Sequence, residues 1–155
     1  MRDLKIKFLI IATSVVVVLS ACQTTEESMD KMASLDCSTA PLPEFTIVQP
    51  ASDVPKELAR FSGLWKGKWD GILCSRLVIT SIEADGTANG IYAWAPGRNF
   101  NAGYDPFEVK ISDNNLKFGT NAKFSFSFED NQKEVLHGRR VTNNYTNIVS
   151  MVRDK

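Results

Sequence analysis

From Gly63 to Arg153 the chain alternates apolar and polar residues in short runs, with turn residues breaking the pattern about every eleven positions. That rhythm permits few folds. Alternate residues of a strand share one face, so each run offers one apolar side and one solvated side. The runs are Gly63 to Trp69, Ser75 to Glu83, Ala88 to Trp94, Phe107 to Ile111, Leu116 to Gly119, Lys123 to Phe128, Lys133 to Arg140 and Tyr145 to Arg153. Ala84-Asp85-Gly86-Thr87, Asp113-Asn114-Asn115 and Glu129-Asp130-Asn131-Gln132 supply turns between them. About eight short strands joined by short turns predict an all-β, antiparallel, up-and-down barrel. Phe124, Phe126 and Phe128 share one face, and with two indoles they must go inside. The expected interior is mostly filled, with at best a shallow cup.

The first run carries Trp65, Gly67 and Trp69 at spacing two, which puts both indoles on one face with a glycine between them. Leu64, Lys66 and Lys68 take the other face, expected to be mostly solvated. A glycine weakens a strand unless something packs close to its backbone, so a neighbour is expected across Gly67. The indoles either fill a β core or, for one of them, line a ligand pocket.

The N-terminus has a different character. Arg2, Lys5 and Lys7 precede an apolar run from Phe8 to Leu19, interrupted only by Thr13 and Ser14. The run falls short of the ~20 apolar residues that span a bilayer and suits a signal peptide. It ends in Leu19-Ser20-Ala21-Cys22, which resembles the lipobox of bacterial lipoproteins in order, spacing and context. The resemblance implies cleavage before Cys22, a diacylglyceryl thioether on its sulfur and acylation of the new amino terminus. Several acyl chains make a stable bilayer anchor where one does not. An ordinary secretory signal that happens to carry a cysteine is the other reading. Gln23 replaces the aspartate that tends to mark inner-membrane retention in such lipoproteins. The expected location is the bacterial cell envelope, at the outer membrane and facing the periplasm.

Removing residues 1–21 takes Arg2, Lys5, Lys7 and Asp3 from 18 basic and 18 acidic residues, leaving 15 and 17 and a net charge of −2. That balance gives no nucleic-acid footprint. Cys37 and Cys74 remain, and an exported chain meets an oxidising compartment, so one disulfide is expected. Its loop of about 37 residues would contribute about 3–4 kcal/mol by chain entropy. Two free, buried thiols are the other reading. Residues 22–52 are polar and rich in proline, and read as a flexible lipidated tether, with Glu44 to Val48 its one candidate strand. Residues 53–155 form the barrel domain, entered through a short helix with Pro55 in its first turn and with Leu58 and Phe61 packing on one barrel end.

Gly63-Leu64-Trp65 and Gly67-Lys68-Trp69 at a first strand resemble the Gly-x-Trp start of lipocalin-type (calycin) barrels. The resemblance implies that an arginine of the last strand packs over the first tryptophan. Arg153 occupies that place, making Trp65 and Arg153 a structural pair, with Trp69 beside them. A cation on an indole face is worth about 0.5–2 kcal/mol. The Trp-x-Gly-x-Trp-x-Gly run together with Tyr92-Ala93-Trp94 also resembles a small bacterial domain of unknown function. In outline the chain is similar to periplasmic inhibitors of secreted metalloproteases, small barrels with an N-terminal segment that residues 23–60 could supply.

Catalytic constellations are missing from the sequence: one histidine, His137, no Gly-x-Ser-x-Gly and no Ser-x-x-Lys. No metal-ligand spacing and no phosphate-binding glycine loop occurs, so no cofactor is expected. The stretch Ala95 to Pro106 is the longest irregular one and combines Arg98, Phe100 and Tyr104 with Trp94 at its base. Aromatic and arginine side chains on a loop are favoured at binding surfaces; capping one barrel end is the plainer role. The expected function is a non-enzymatic, anchored barrel binding a small apolar ligand or an envelope protein. A protease inhibitor and a purely structural envelope protein are the alternatives.

Overall fold

The computed structural model describes residues 30–32, 34–129 and 132–154. The stretches read from the sequence as signal peptide and lipobox, with Cys22, lie outside these residues. A short helix, α1 (Lys56–Ala59), precedes eight strands: β1 (Gly63–Trp69), β2 (Leu73–Ile82), β3 (Thr87–Trp94), β4 (Gly103–Lys110), β5 (Asn115–Phe118), β6 (Lys123–Glu129), β7 (Gln132–Val141) and β8 (Thr146–Arg153). They form one antiparallel sheet in the order β4-β3-β2-β1-β8-β7-β6-β5. Each strand neighbours its sequence partner, and β1 meets β8, so the sheet curls into a nearly closed up-and-down barrel. The edge strands β4 and β5 are joined by side chains: Phe107 stacks on Phe118 with ring centres 4.4 Å apart.

Turn chemistry matches the expected hairpins. Gly86 adopts φ +88 after Asp85, whose carboxylate accepts the Thr87 N–H at 2.8 Å. Asp113 and Asn114 both take left-handed φ between β4 and β5, a conformation asparagine and aspartate tolerate best. At Gly67 an added Cβ would lie 2.6 Å from the Ser150 carbonyl oxygen and 2.7 Å from a Val149 methyl carbon. The glycine lets β8 close against β1.

The barrel has two unlike ends. At the end where β1 starts, Phe61, Trp65, Leu77, Ile79, Leu116, Phe126, Leu136 and Met151 are fully buried. Leu58 of α1 packs on this core. Phe128 meets Phe61 and Trp65 edge-on at 4.8 and 5.5 Å. The Arg153 guanidinium sits 4.2 Å from the Trp65 ring centre and donates to the carbonyls of Ser62 at 2.6 Å and Arg60 at 2.8 Å. Arg60 in turn covers Phe128 at 3.7 Å. Gly63 holds φ +121 beneath Arg153, where a Cβ would lie 2.4 Å from the guanidinium.

Four expectations are corrected. Residues 37–54 form a strap on the barrel, not a free tether. The disulfide Cys37–Cys74 fixes its start, Ala40 is buried, and Leu35 and Leu42 pack against Ala93 and Ala95. Glu44 to Val48 is no strand; Val48 instead donates one hydrogen bond, 2.8 Å, to the Thr80 carbonyl freed by the β2 bulge. Strand β4 begins at Gly103 and absorbs Pro106, which an edge strand tolerates because its missing N–H faces away from the ladder. The outer face of β1 is partly covered, since Lys66 and Arg76 both pair with Asp154, at 3.0 and 3.3 Å.

Candidate functional site

The other barrel end is open. It holds a cavity of about 690 Å³, deeper than the shallow cup expected from the count of large side chains. The reason is placement. The bulky residues crowd the α1 end, and the mouth end is lined by aromatics standing along its wall.

Trp69 and Tyr92 form the floor. Trp69 is buried, with Phe124 and Phe126 edge-on at 5.9 and 6.0 Å. Its indole N–H donates to the Tyr92 hydroxyl at 2.8 Å, and Ser75 shares that hydroxyl at 3.1 Å. This small polar knot satisfies three buried groups at once. Burial pushes the Tyr92 phenol up from its ordinary value, against the opposing hydrogen bonds from Ser75 and Trp69. Phe118, stacked between Phe107 and Phe124, makes one wall.

The lip is built from Trp94, Phe100, Ile72 and Leu73. Trp94 stacks on Tyr92 at 6.0 Å and donates its indole N–H to the Asn101 carbonyl at 3.0 Å, which ties the 95–102 loop down. Phe100 folds back across Gly97, with the Gly97 N–H donating to its carbonyl at 3.0 Å.

Apart from the knot at the floor, the polar groups lie at the rim and on one wall. Arg140 donates to the Asn147 side-chain oxygen at 3.3 Å, and the Asn147 amide donates to Asp70. Asp70 also accepts the Ile148 N–H at 3.0 Å; that bond first, and Asn147 second, hold its carboxyl below the ordinary range. Asp105 lines the opposite wall. Apolar floor, aromatic lip and sparse polar rim are the features of a small-molecule site.

Of the residues singled out from the sequence, Trp94 and Phe100 line the cavity and Arg98 and Tyr104 do not. Arg98 is exposed on the loop. Tyr104 is half-exposed on the outer face of β4, because Gly103 pairs with inward Trp94 and the next residue must point outward. Trp65 belongs to the sealed end and Trp69 to the cavity, so the two indoles split the roles offered for them. Sequence reasoning missed Tyr92, Phe107, Phe118 and Arg140. Tyr92 could have been found at strand spacing from Trp94, and Arg140 as a charge in phase with inward Leu136 and Gly138. His137 lies on the outer face of β7, in an open polar groove that Lys31, Met32, Ser34, Leu35 and Asp36 also line. No known protein family, curated protein or solved structure matches the chain.

Proposed function

We propose that this protein is an envelope lipoprotein, anchored through acyl chains on Cys22, whose barrel binds a small apolar or amphiphilic molecule without chemical conversion. The supporting observation is the 690 Å³ aromatic cavity, open at one end and closed at the other. Arg140 gives the rim a cation, hydrogen-bonded to Asn147 and set near the Phe124 ring, suited to an anionic head on an apolar body. The lipobox resemblance supports the anchor, and the lipocalin-like outline supports the use of the barrel interior.

The test is titration of the purified full chain with a naphthylamine probe that fluoresces in apolar surroundings. One-site saturation is expected, weakened roughly tenfold, or about 1.4 kcal/mol, by Trp94→Ala with Phe100→Ala. Absence of saturable binding by that probe and by a lipid extract would remove the cavity as the functional site.

A further inference from the structure

We infer that the open rim of the barrel docks on the lipid surface, so that the cavity mouth faces the bilayer that holds Cys22. The inference rests on the anchored-barrel reading and specifies its orientation and the source of its ligand.

Two observations converge. The first is where the chain enters the structure. Cys74 lies one residue inside β2 from the open-end turn, so the disulfide fixes the start of the strap at that end. Lys31, Met32, Ser34, Leu35 and Asp36 border an outer groove that reaches Lys68, Asp70 and Gly71 at the open end and Lys66 and His137 farther along the barrel. Seven residues lie between Cys22 and Asp30, so eight Cα–Cα steps give a reach of at most about 29 Å. Eight residues of strand are about 26 Å long. Strands tilted ~40° make the barrel about 20 Å tall, so a barrel standing mouth-up would consume about two thirds of the reach. A barrel standing mouth-down needs little of it.

The second observation is the distribution of exposed apolar side chains. Seven large ones stay exposed among the described residues. Five belong to the open end: Ile72 at 83%, Tyr145 at 70%, Ile148 at 66%, Phe100 at 49% and Tyr104 at 46%. The other two, Phe45 and Val48, are on the strap. The sealed end presents Glu57, Glu83, Asp85 and Asp113 against Lys56 and Lys110, an acidic excess that an anionic leaflet repels. The open end adds exposed Lys68, Arg98, Lys123 and Arg139, which outnumber Asp70 and Asp105 there, to its apolar rim, a combination suited to the headgroup boundary. Docked this way, an amphiphile passes between bilayer and cavity without crossing water.

The test uses the full acylated chain on phosphatidylethanolamine–phosphatidylglycerol vesicles. Nitroxide labels are placed by Ile72→Cys, Tyr145→Cys and Glu57→Cys, one per preparation, with the Cys22 acylation confirmed by mass. Collision with oxygen relative to a polar nickel chelate is expected to be at least threefold higher at positions 72 and 145 than at 57. Equal, aqueous values at all three positions overturn the inference, as does lipid contact at 57 alone. Recovery of unmodified Cys22 overturns it together with the anchor. Naphthylamine binding in the cavity is scored on the unlabelled parent chain and on the Tyr145→Cys and Glu57→Cys samples, so a failed orientation and a failed binding site give different results.

Discussion

Arg153 links three separate groups: the Trp65 ring and the carbonyls of Ser62 and Arg60. A lysine has the charge but not the flat fork, so Arg153→Lys cannot cover the indole and serve both carbonyls together. Two carbonyls losing their donors and one weakened ring contact should cost about 2–3 kcal/mol. Urea unfolding followed by tryptophan emission should show the midpoint falling accordingly; an unchanged midpoint would mean that water replaces the guanidinium without loss. Tyr92 makes a pH-dependent claim. Its folded pKa is raised by burial, so its contribution to stability is complete below the unfolded value of about 10 and is lost as pH climbs through the folded value. Tyr92→Phe should be less stable at pH 7 by about 1–2 kcal/mol, because Trp69 and Ser75 lose their partner. It should also lose less than the parent chain on going above pH 10. Parallel alkaline curves for the two proteins would show that the phenol ionises as freely folded as unfolded. Spacing alone made the Trp65 position legible. It could not expose the Tyr92 knot, which depends on three strands meeting in register.

At the level of elements, the strap shows how little apolar surface a segment needs once a covalent bond fixes its start. Between Cys37 and Val54 only a few small or apolar residues are buried, and the composition resembles a linker. The reading as a tether followed correctly from that composition; the packing comes from Cys37–Cys74 and from the carbonyl that the β2 bulge offers to Val48. Replacing both cysteines by serine should remove about 3–4 kcal/mol of loop-closure stabilisation. The barrel ladder does not pass through the strap, so the loss should appear first as local opening. Limited proteolysis should cut between residues 38 and 50 at least tenfold faster while buried tryptophan emission stays native. Simultaneous loss of both signals would show instead that strap and barrel unfold as one unit. The misplaced start of β4 has a similar origin: a proline reads as a strand breaker unless the strand is known to lie at an edge, and edge position is a property of the whole sheet.

For the whole molecule, the central fact is that closure is completed by rings where backbone hydrogen bonds stop. Phe118 touches Phe107 across the seam, Phe124 and Phe126 on its own side, and Tyr92 at the cavity floor, all with ring centres within 5.8 Å. The same side chain therefore closes the barrel and walls the cavity, which ties stability to occupancy. Phe118→Ala should cost about 2–3 kcal/mol, less than a fully enclosed phenylalanine because the ring borders the open cavity. Amide exchange should quicken in β4 and β5 and stay slow in β1 and β8, whose pairing lies on the far side. A ligand filling the cavity replaces part of the lost ring contact. At one hundred times its dissociation constant a bound probe stabilises the fold by about 2.7 kcal/mol. Slower exchange in β4 and β5 of the Phe118→Ala chain on adding the naphthylamine probe is the expected signature. Protection spread evenly over all eight strands would place the probe somewhere other than behind this seam.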